Sequence, residues 1–350
     1  MVSKKGDLSA GPVVAVDAMG GDTAPGVPVE GAVLAARQFN ISTVLVGDEE
    51  VVRAELERLD ANSLPIRIVH APEVAGANEP ARVALRGKPT SIRVAFDLVT
   101  SGEAQAIFSA GNTGAALAVS MMTAGRMEGV DRPAVAAALP GLRGDLVLLD
   151  AGANAECKPL NLIQFALMGA VFAREVLEIP KPRVGLLSNG VEETKGTEST
   201  RQAHELLKNS TLEYVGFIEG NEIMSGRADV VVTDGFSGNM VLKSIEGVAE
   251  FLVESLSDIF TGGALNRLGL ALLRDRIRQF GRRIDYTEYG GAPLLGVNST
   301  CIIGHGRSTP KAASNAIRLA AQFEVRGYRQ ALVEELKQNE IAPKAAEGAS

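Results

Sequence analysis

Six short segments set glycine beside amide, hydroxyl or carboxylate side chains. The first is Asp17-Ala18-Met19-Gly20-Gly21-Asp22, and the second is Ser109-Ala110-Gly111-Asn112-Thr113-Gly114. The third is Asp150-Ala151-Gly152-Ala153-Asn154; the fourth is Ser188-Asn189-Gly190, which runs on to Lys195-Gly196. The last two are Thr233-Asp234-Gly235-Phe236-Ser237-Gly238-Asn239 and Gly304-His305-Gly306-Arg307-Ser308. Glycine lets a backbone come close to a ligand, and the free N–H groups of a following helix N-terminus attract an anion. Asn, Ser and Thr add donors without adding charge. Lys195, His305 and Arg307 supply cations. The chemistry indicated is the holding of a phosphate-like anion. Each loop taken singly could equally be a tight strand-to-helix turn, for which Gly and Asn are suited. Neither a phosphate-loop motif ending in Lys-Ser/Thr nor a clean Gly-x-Gly-x-x-Gly occurs, so nucleotide triphosphates and dinucleotides are weak candidates.

The elements that must carry these loops are legible. Nearly continuous apolar runs at 13–18, 42–47, 66–70, 106–110, 134–139, 146–150, 184–189 and 228–234 read as strands. Their lack of alternation suits strands buried on both faces of a mostly parallel sheet. Helical patterns fill 25–39, 49–60, 91–101, 113–127, 160–177, 198–208 and 238–260. This alternation predicts an α/β three-layer sandwich. All strand C-termini would then open on one edge, where doubly wound sheets bind ligands. No linker divides the chain, which predicts one α/β catalytic domain over 12–335 and fraying tails at 1–11 and 339–350.

Composition narrows the classes. The formal net charge is −7, which disfavours nucleic acid as a partner, because neutralising phosphates needs clustered Lys and Arg. Cys157 and Cys301 are the two cysteines; far apart, they predict neither a disulfide framework nor a cysteine zinc site and fit a reducing cytosol. No apolar run reaches the ~18 residues of a membrane span. Asp17, Asp22, Asp150 and Asp234 fall at strand ends. A Mg²⁺ site is one reading of them, but helix capping accounts for several, and no metal or other cofactor is expected.

The ordered blocks Asp17–Asp22, Ser109–Ala115, Leu149–Asn154 and Val230–Asn239 resemble the signature set of the bacterial phosphate acyltransferases (PlsX family). The resemblance runs from Val13 to about Tyr328. It implies transfer of a fatty acyl group from acyl carrier protein to inorganic phosphate, giving acyl phosphate for phospholipid synthesis. It also implies a homodimer in the cytoplasm, and a fold similar to the isocitrate/isopropylmalate dehydrogenases and the phosphotransacetylases. Thr23 stands where that family often has His, so this position offers a hydroxyl and not an imidazole. A phosphotransacetylase acting on acyl-coenzyme A is the enzyme alternative. A membrane-surface scaffold recruiting acyl carrier protein is the non-enzymatic one.

In the implied reaction phosphate is itself the nucleophile and a thiol leaves, so an acyl-enzyme is unnecessary. What is required is a cradle for the dianion, proximity to the thioester, and donors for the tetrahedral oxyanion. Lys195, His305 and Asn239 are the expected catalytic residues. Asp17, Gly20, Gly21, Gly111, Asn112, Thr113, Gly114, Asn154 and Asn189 are expected to bind substrate, with Asp234, Gly235, Ser237, Gly238 and Arg307.

A segment at about 262–284 departs from the acidic background. At helical spacing Leu265, Leu268, Leu272, Leu273, Ile277 and Phe280 share one side. Arg267, Arg274, Arg278 and Arg282 gather on the other. This predicts a protruding amphipathic helix, with Leu265, Arg267, Leu268, Leu272, Arg274 and Arg278 meeting an anionic membrane surface or the acidic carrier protein. The bland alternative is a helix packed on the body or at a dimer interface.

Overall fold

A computed structural model describes residues 11–75, 89–261, 281 and 290–339. Apart from residues 11, 281 and 339, the segments expected to form tails and a protruding amphipathic helix lie outside the described residues.

Among the described residues eleven strands form one sheet. They are β1 (Val14–Asp17), β2 (Thr43–Gly47), β3 (Ile66–His70), β4 (Ala106–Ser109), β5 (Ala134–Gly141), β6 (Gly144–Leu149), β7 (Arg183–Leu187), β8 (Glu213–Ile218), β9 (Val230–Val232), β10 (Ala292–Leu295) and β11 (Thr300–Ile303). The spatial order is β3-β2-β1-β4-β11-β10-β5-β6-β9-β7-β8. Helices α1 (Gly26–Phe39), α2 (Glu49–Arg58), α3 (Ser91–Thr100), α4 (Thr113–Thr123), α5 (Pro159–Glu175), α6 (Glu198–Lys208), α7 (Gly235–Thr261), α8 (Pro310–Arg326) and α9 (Tyr328–Gln338) cover its faces, with a short 3₁₀ turn at Gly220–Ser225. Three strands (β8, β10, β11) and two helices (α8, α9) go beyond those the sequence pattern predicts.

The sheet is mostly parallel, but its direction reverses in the middle. β3, β2, β1, β4 and β11 run one way. β10 is antiparallel to both β11 and β5, and β5 is antiparallel to β6. β6, β9, β7 and β8 are parallel to one another. The two parallel halves therefore point in opposite senses. The expectation of a single edge holding every strand C-terminus is corrected: β1, β4 and β11 end towards one edge, and β6, β9 and β7 towards the other.

Two apolar cores fill the space on either face of the sheet. On one face α5 is buried continuously from Asn161 to Ala173, as expected of a helix that is apolar all round. Its Phe172 stacks on Phe323 of α8 with ring centroids 5.3 Å apart, and Phe323 meets Tyr328 of α9 edge-on at 5.1 Å. On the other face α3 and α4 supply Ile92, Phe96 and Val119, and Leu242 and Ile245 of α7 pack against that core. This leaves α7 lying over the middle of the sheet, beside the point where the strand direction changes.

Candidate active site

The loops of the first half are tied together around a buried acid. Asp17 closes β1 and is 3% exposed. Its Oδ2 accepts from Ser109 Oγ at 2.7 Å and its Oδ1 from Met19 N at 3.3 Å. Burial pushes the Asp17 carboxyl above its usual range, opposed by the Ser109 hydroxyl and the Met19 and Gly20 N–H groups. A Cβ at Gly20 would stand 2.9 Å from Gly111 N, so glycine there lets the loops after β1 and β4 close on each other. The loop after β11 joins them through Asp22 N to Gly306 O at 2.9 Å and Gly304 N to Ser109 O at 2.8 Å. Asn112 caps α4, its Oδ1 accepting from Ala115 N at 3.0 Å.

The second half is organised by Asp150, fully buried after β6. Its Oδ1 accepts from Val135 N, Gly152 N and Ala153 N, and its Oδ2 from Asn154 N and Asn154 Nδ2, all within 2.7–3.1 Å. The second proton of Asn154 Nδ2 goes to Pro133 O at 2.7 Å. Asn154 is thus a brace, its amide donors already occupied. Asp234 caps α7 by accepting from Ser237 N at 2.8 Å and Ser237 Oγ at 2.9 Å. Gly238 lies so close to Asp150 that a Cβ would strike the Asp150 carbonyl oxygen. The four aspartates of the strand ends therefore include three, Asp17, Asp150 and Asp234, whose oxygens bind the chain's own loops.

One cavity of about 670 Å³ joins the halves. Gly152 and Asn239 line it from the second half; Thr113, Gly304, His305 and Ser308 line it from the first. A Cβ at Gly152 would be 3.6 Å from that of Asn239. His305 Nδ1 accepts from Arg307 N at 3.2 Å, and Lys243 Nζ of α7 stands 3.4 Å from His305 Nε2. Lys243 also pairs with Glu246 at 2.7 Å. Much of the remaining lining is aliphatic, from Val135 on β5 to Leu252 on α7.

The expected residues divide accordingly. Asn239, His305 and Thr113 meet in the cavity. Asp17, Gly20, Gly21, Gly111, Asn112 and Gly114 stand on the first-half loops behind Thr113. Arg307 is exposed, 3.8 Å from Glu250 of α7. Asn189 and Lys195 occupy the loop after β7, two strands from β6 on the same edge as Gly152 and Asn239, and do not line the cavity. Asn189 Oδ1 accepts from Gly196 N at 2.9 Å. Of the two glutamates beside Lys195, Glu193 is taken by Lys208 at 2.5 Å. Lys243 is a cavity residue that the loop-by-loop reading misses. It lies one helical turn after Asn239, and that i,i+4 spacing was the available signal. Burial, with Asp150 nearby, pushes the Cys157 thiol up to about 12, and burial, with Asp17 nearby, does the same to Cys301.

A mostly parallel α/β sheet with glycine loops meeting in one cavity defines a class that comparison makes specific. The chain matches a solved phosphotransacetylase from Streptococcus pyogenes with a TM-score of 0.60 at 17% identity, covering 91% of this chain and 95% of that one; the fold is shared. Residues 13–330 match the family described as "Fatty acid synthesis protein". A "Phosphate acyltransferase" of Geotalea daltonii is 50% identical over 327 residues, 93% of this chain and 94% of the relative. One of Geobacter sulfurreducens is 50% identical over 325 residues, again 93% and 94%. The chain belongs to this family, the phosphate acyltransferases, and is an acyl-transferring enzyme. Among the described residues no helix is long and apolar enough to cross a membrane.

Proposed function

We propose that this enzyme moves a long-chain fatty acyl group from acyl carrier protein to inorganic phosphate, giving acyl phosphate for phospholipid synthesis. The observation that carries the reading is the cavity itself, in which polar groups from opposed loops adjoin an aliphatic wall. A phosphate oxygen attacks the thioester carbonyl carbon and the new C–O bond creates a tetrahedral oxyanion. Collapse breaks the C–S bond, and the proton carried by phosphate passes to the departing sulfur. Asn239 donates its side-chain amide to the oxyanion. His305 relays the proton, and Lys195, which stands outside the cavity lining on the loop after β7, is proposed to add positive charge for the phosphate. The glycine loops offer N–H groups to the dianion, while Asp17, Asp150, Asn154, Asp234 and Ser237 hold those loops in shape.

The acting unit is proposed to be a homodimer, in the cytoplasm or peripheral on an anionic membrane. Phe236, Met240 and Phe251 of α7 are all more than half exposed and share one side at helical spacing, and such an apolar face suits burial against a second copy. The arginine-rich segment at 262–284 is proposed to meet the membrane or the carrier protein. The deciding experiment mixes purified protein with palmitoyl-carrier protein and assays acyl phosphate, with and without phosphate. Phosphate-dependent thiol release is expected. Thiol release confined to short acyl-coenzyme A thioesters would transfer the assignment to a phosphotransacetylase, and none at all would leave the scaffold reading.

A further inference from the structure

The cavity is longer than an acyl-transfer centre needs, and its extra length is mainly aliphatic. β5 forms one wall and α7 the other. At the near end Ala151 N donates to Val135 O at 2.8 Å, setting Gly152 beside the start of β5 and against Asn239. One helical turn on, Lys243 reaches His305. Beyond that point α7 contributes Ile245, Val248, Ala249 and Leu252, with Ser244 and the Lys243-paired Glu246 among them, and the facing wall contributes Leu139 on β5 and Met224. Met224 is held at the far end of β5, where Leu142 N donates to its carbonyl at 2.9 Å. Lining residues on α7 run from Asn239 to Leu252, about 20 Å at 1.5 Å per residue.

We infer that the groove between β5 and α7 is the acyl-chain site, with the thioester carbonyl at Asn239 and His305 and the chain's end between Met224, Leu139 and Leu252. This rests on the acyl-transfer reading above and adds to it a site and a length. A carbon–carbon bond of ~1.5 Å seen along an extended zigzag advances about 1.3 Å, so ~20 Å of groove accommodates about fifteen carbons. An aliphatic wall is the right partner for methylenes, which gain by leaving water and need no directional contact. Among the described residues no Phe, Tyr or Trp lines the groove, so these residues offer no large ring for a nucleobase to stack on. The polar start and mainly aliphatic remainder line one cavity, which matches a molecule with a reactive head and an inert tail.

The test narrows the far half from two walls separately, with Ala249→Phe on α7 and Met224→Trp on the 3₁₀ turn. Rates of phosphate-dependent transfer are compared for palmitoyl- and octanoyl-carrier protein. In each variant the palmitoyl-to-octanoyl ratio is expected to fall about tenfold, the effect of displacing a couple of buried methylenes. An unchanged ratio in both variants overturns the assignment. So does a change in elution volume without a change in ratio, which would mean that a second copy fills the groove. If the wild type shows no transfer, the functional reading fails by itself, and calorimetric titration with palmitate then decides the groove. Weaker palmitate binding in the variants supports it; absent binding in the wild type, or equal binding in all three, overturns it.

Discussion

Lys243 Nζ lies 3.4 Å from Nε2 of His305. That contact bridges the reversal of the sheet, because α7 leaves the second half after β9 whereas His305 follows β11 in the first. The site consequently depends on how the halves are set against each other. A long helix spanning the antiparallel middle strands is what brings two loop systems, each ending at its own edge, to a common space.

Removing the proposed catalytic groups should slow turnover while the fold survives. Asn239→Ala, Lys195→Ala and His305→Ala are each expected to lower phosphate-dependent thiol release by at least about tenfold, as loss of an oxyanion donor, a phosphate cation or a proton relay does. Asn239 is exposed and His305 is partly so, so melting temperatures should stay near the wild-type value. Near-normal turnover would remove that residue from the mechanism.

Asp150 has the opposite profile, since its side chain accepts five hydrogen bonds at full burial. Asp150→Ala should leave the N–H groups of Val135, Gly152, Ala153 and Asn154 without their acceptor. A loss of roughly 3 kcal/mol or more follows from the cost of several stranded buried donors. Urea unfolding measures it, and a midpoint equal to wild type would contradict the bracing role.

His204 of α6 makes stability sensitive to mild acid. Its Nδ1 is 2.6 Å from Tyr214 Oη, its ring stacks on Phe217, and its Nε2 is buried with no hydrogen-bond partner among the described residues. Burial holds its pKa below the ordinary 6.5, assisted by Lys208 and opposed by Glu205 and Glu193. The unfolded chain therefore binds this proton more readily than the folded one. The contribution is complete above about pH 6.5 and is lost as pH falls below it through the lower folded-state value. Unfolding midpoints at pH 7.5 and 5.5 should differ more in the wild type than in His204→Phe; equal differences would reject this source.

The arginine-rich segment yields a separable prediction. Replacing Leu268 and Leu272 by Glu should release protein from anionic vesicles, because charge on the apolar side opposes insertion. Transfer activity in vesicle-free solution should persist. Unchanged sedimentation with vesicles would dispose of the membrane role and leave the carrier protein or the partner subunit as the contact.

Much of the architecture is written locally. Strands such as Val14–Asp17 and Val230–Val232 are entirely buried, and continuous apolar runs announce that. The strands that escape notice have physical reasons for doing so. β10 spans four residues, begins beside Gly290 and Gly291, and contains Pro293, which has no N–H to give to a ladder. β8 is interrupted by Gly216 at φ 88°, where its register against β7 shifts. Such breaks read as turns until neighbouring strands supply the missing pairing.

The residues read locally specify an α/β protein with glycine and amide loops placed where strands end, and it is the ordered blocks of those loops that carry the resemblance to the phosphate acyltransferases. These properties depend on residue type and near neighbours: burial on two faces, φ freedom, helix capping. Tertiary structure alone decided which loops meet and what each polar side chain is left free to do. Strand direction is set by long-range pairing through β10, β5 and β6, which no local pattern encodes. That pairing turned Asp150 and Asn154 into internal braces, brought Asn239 and His305 to one cavity, and stretched that cavity along α7.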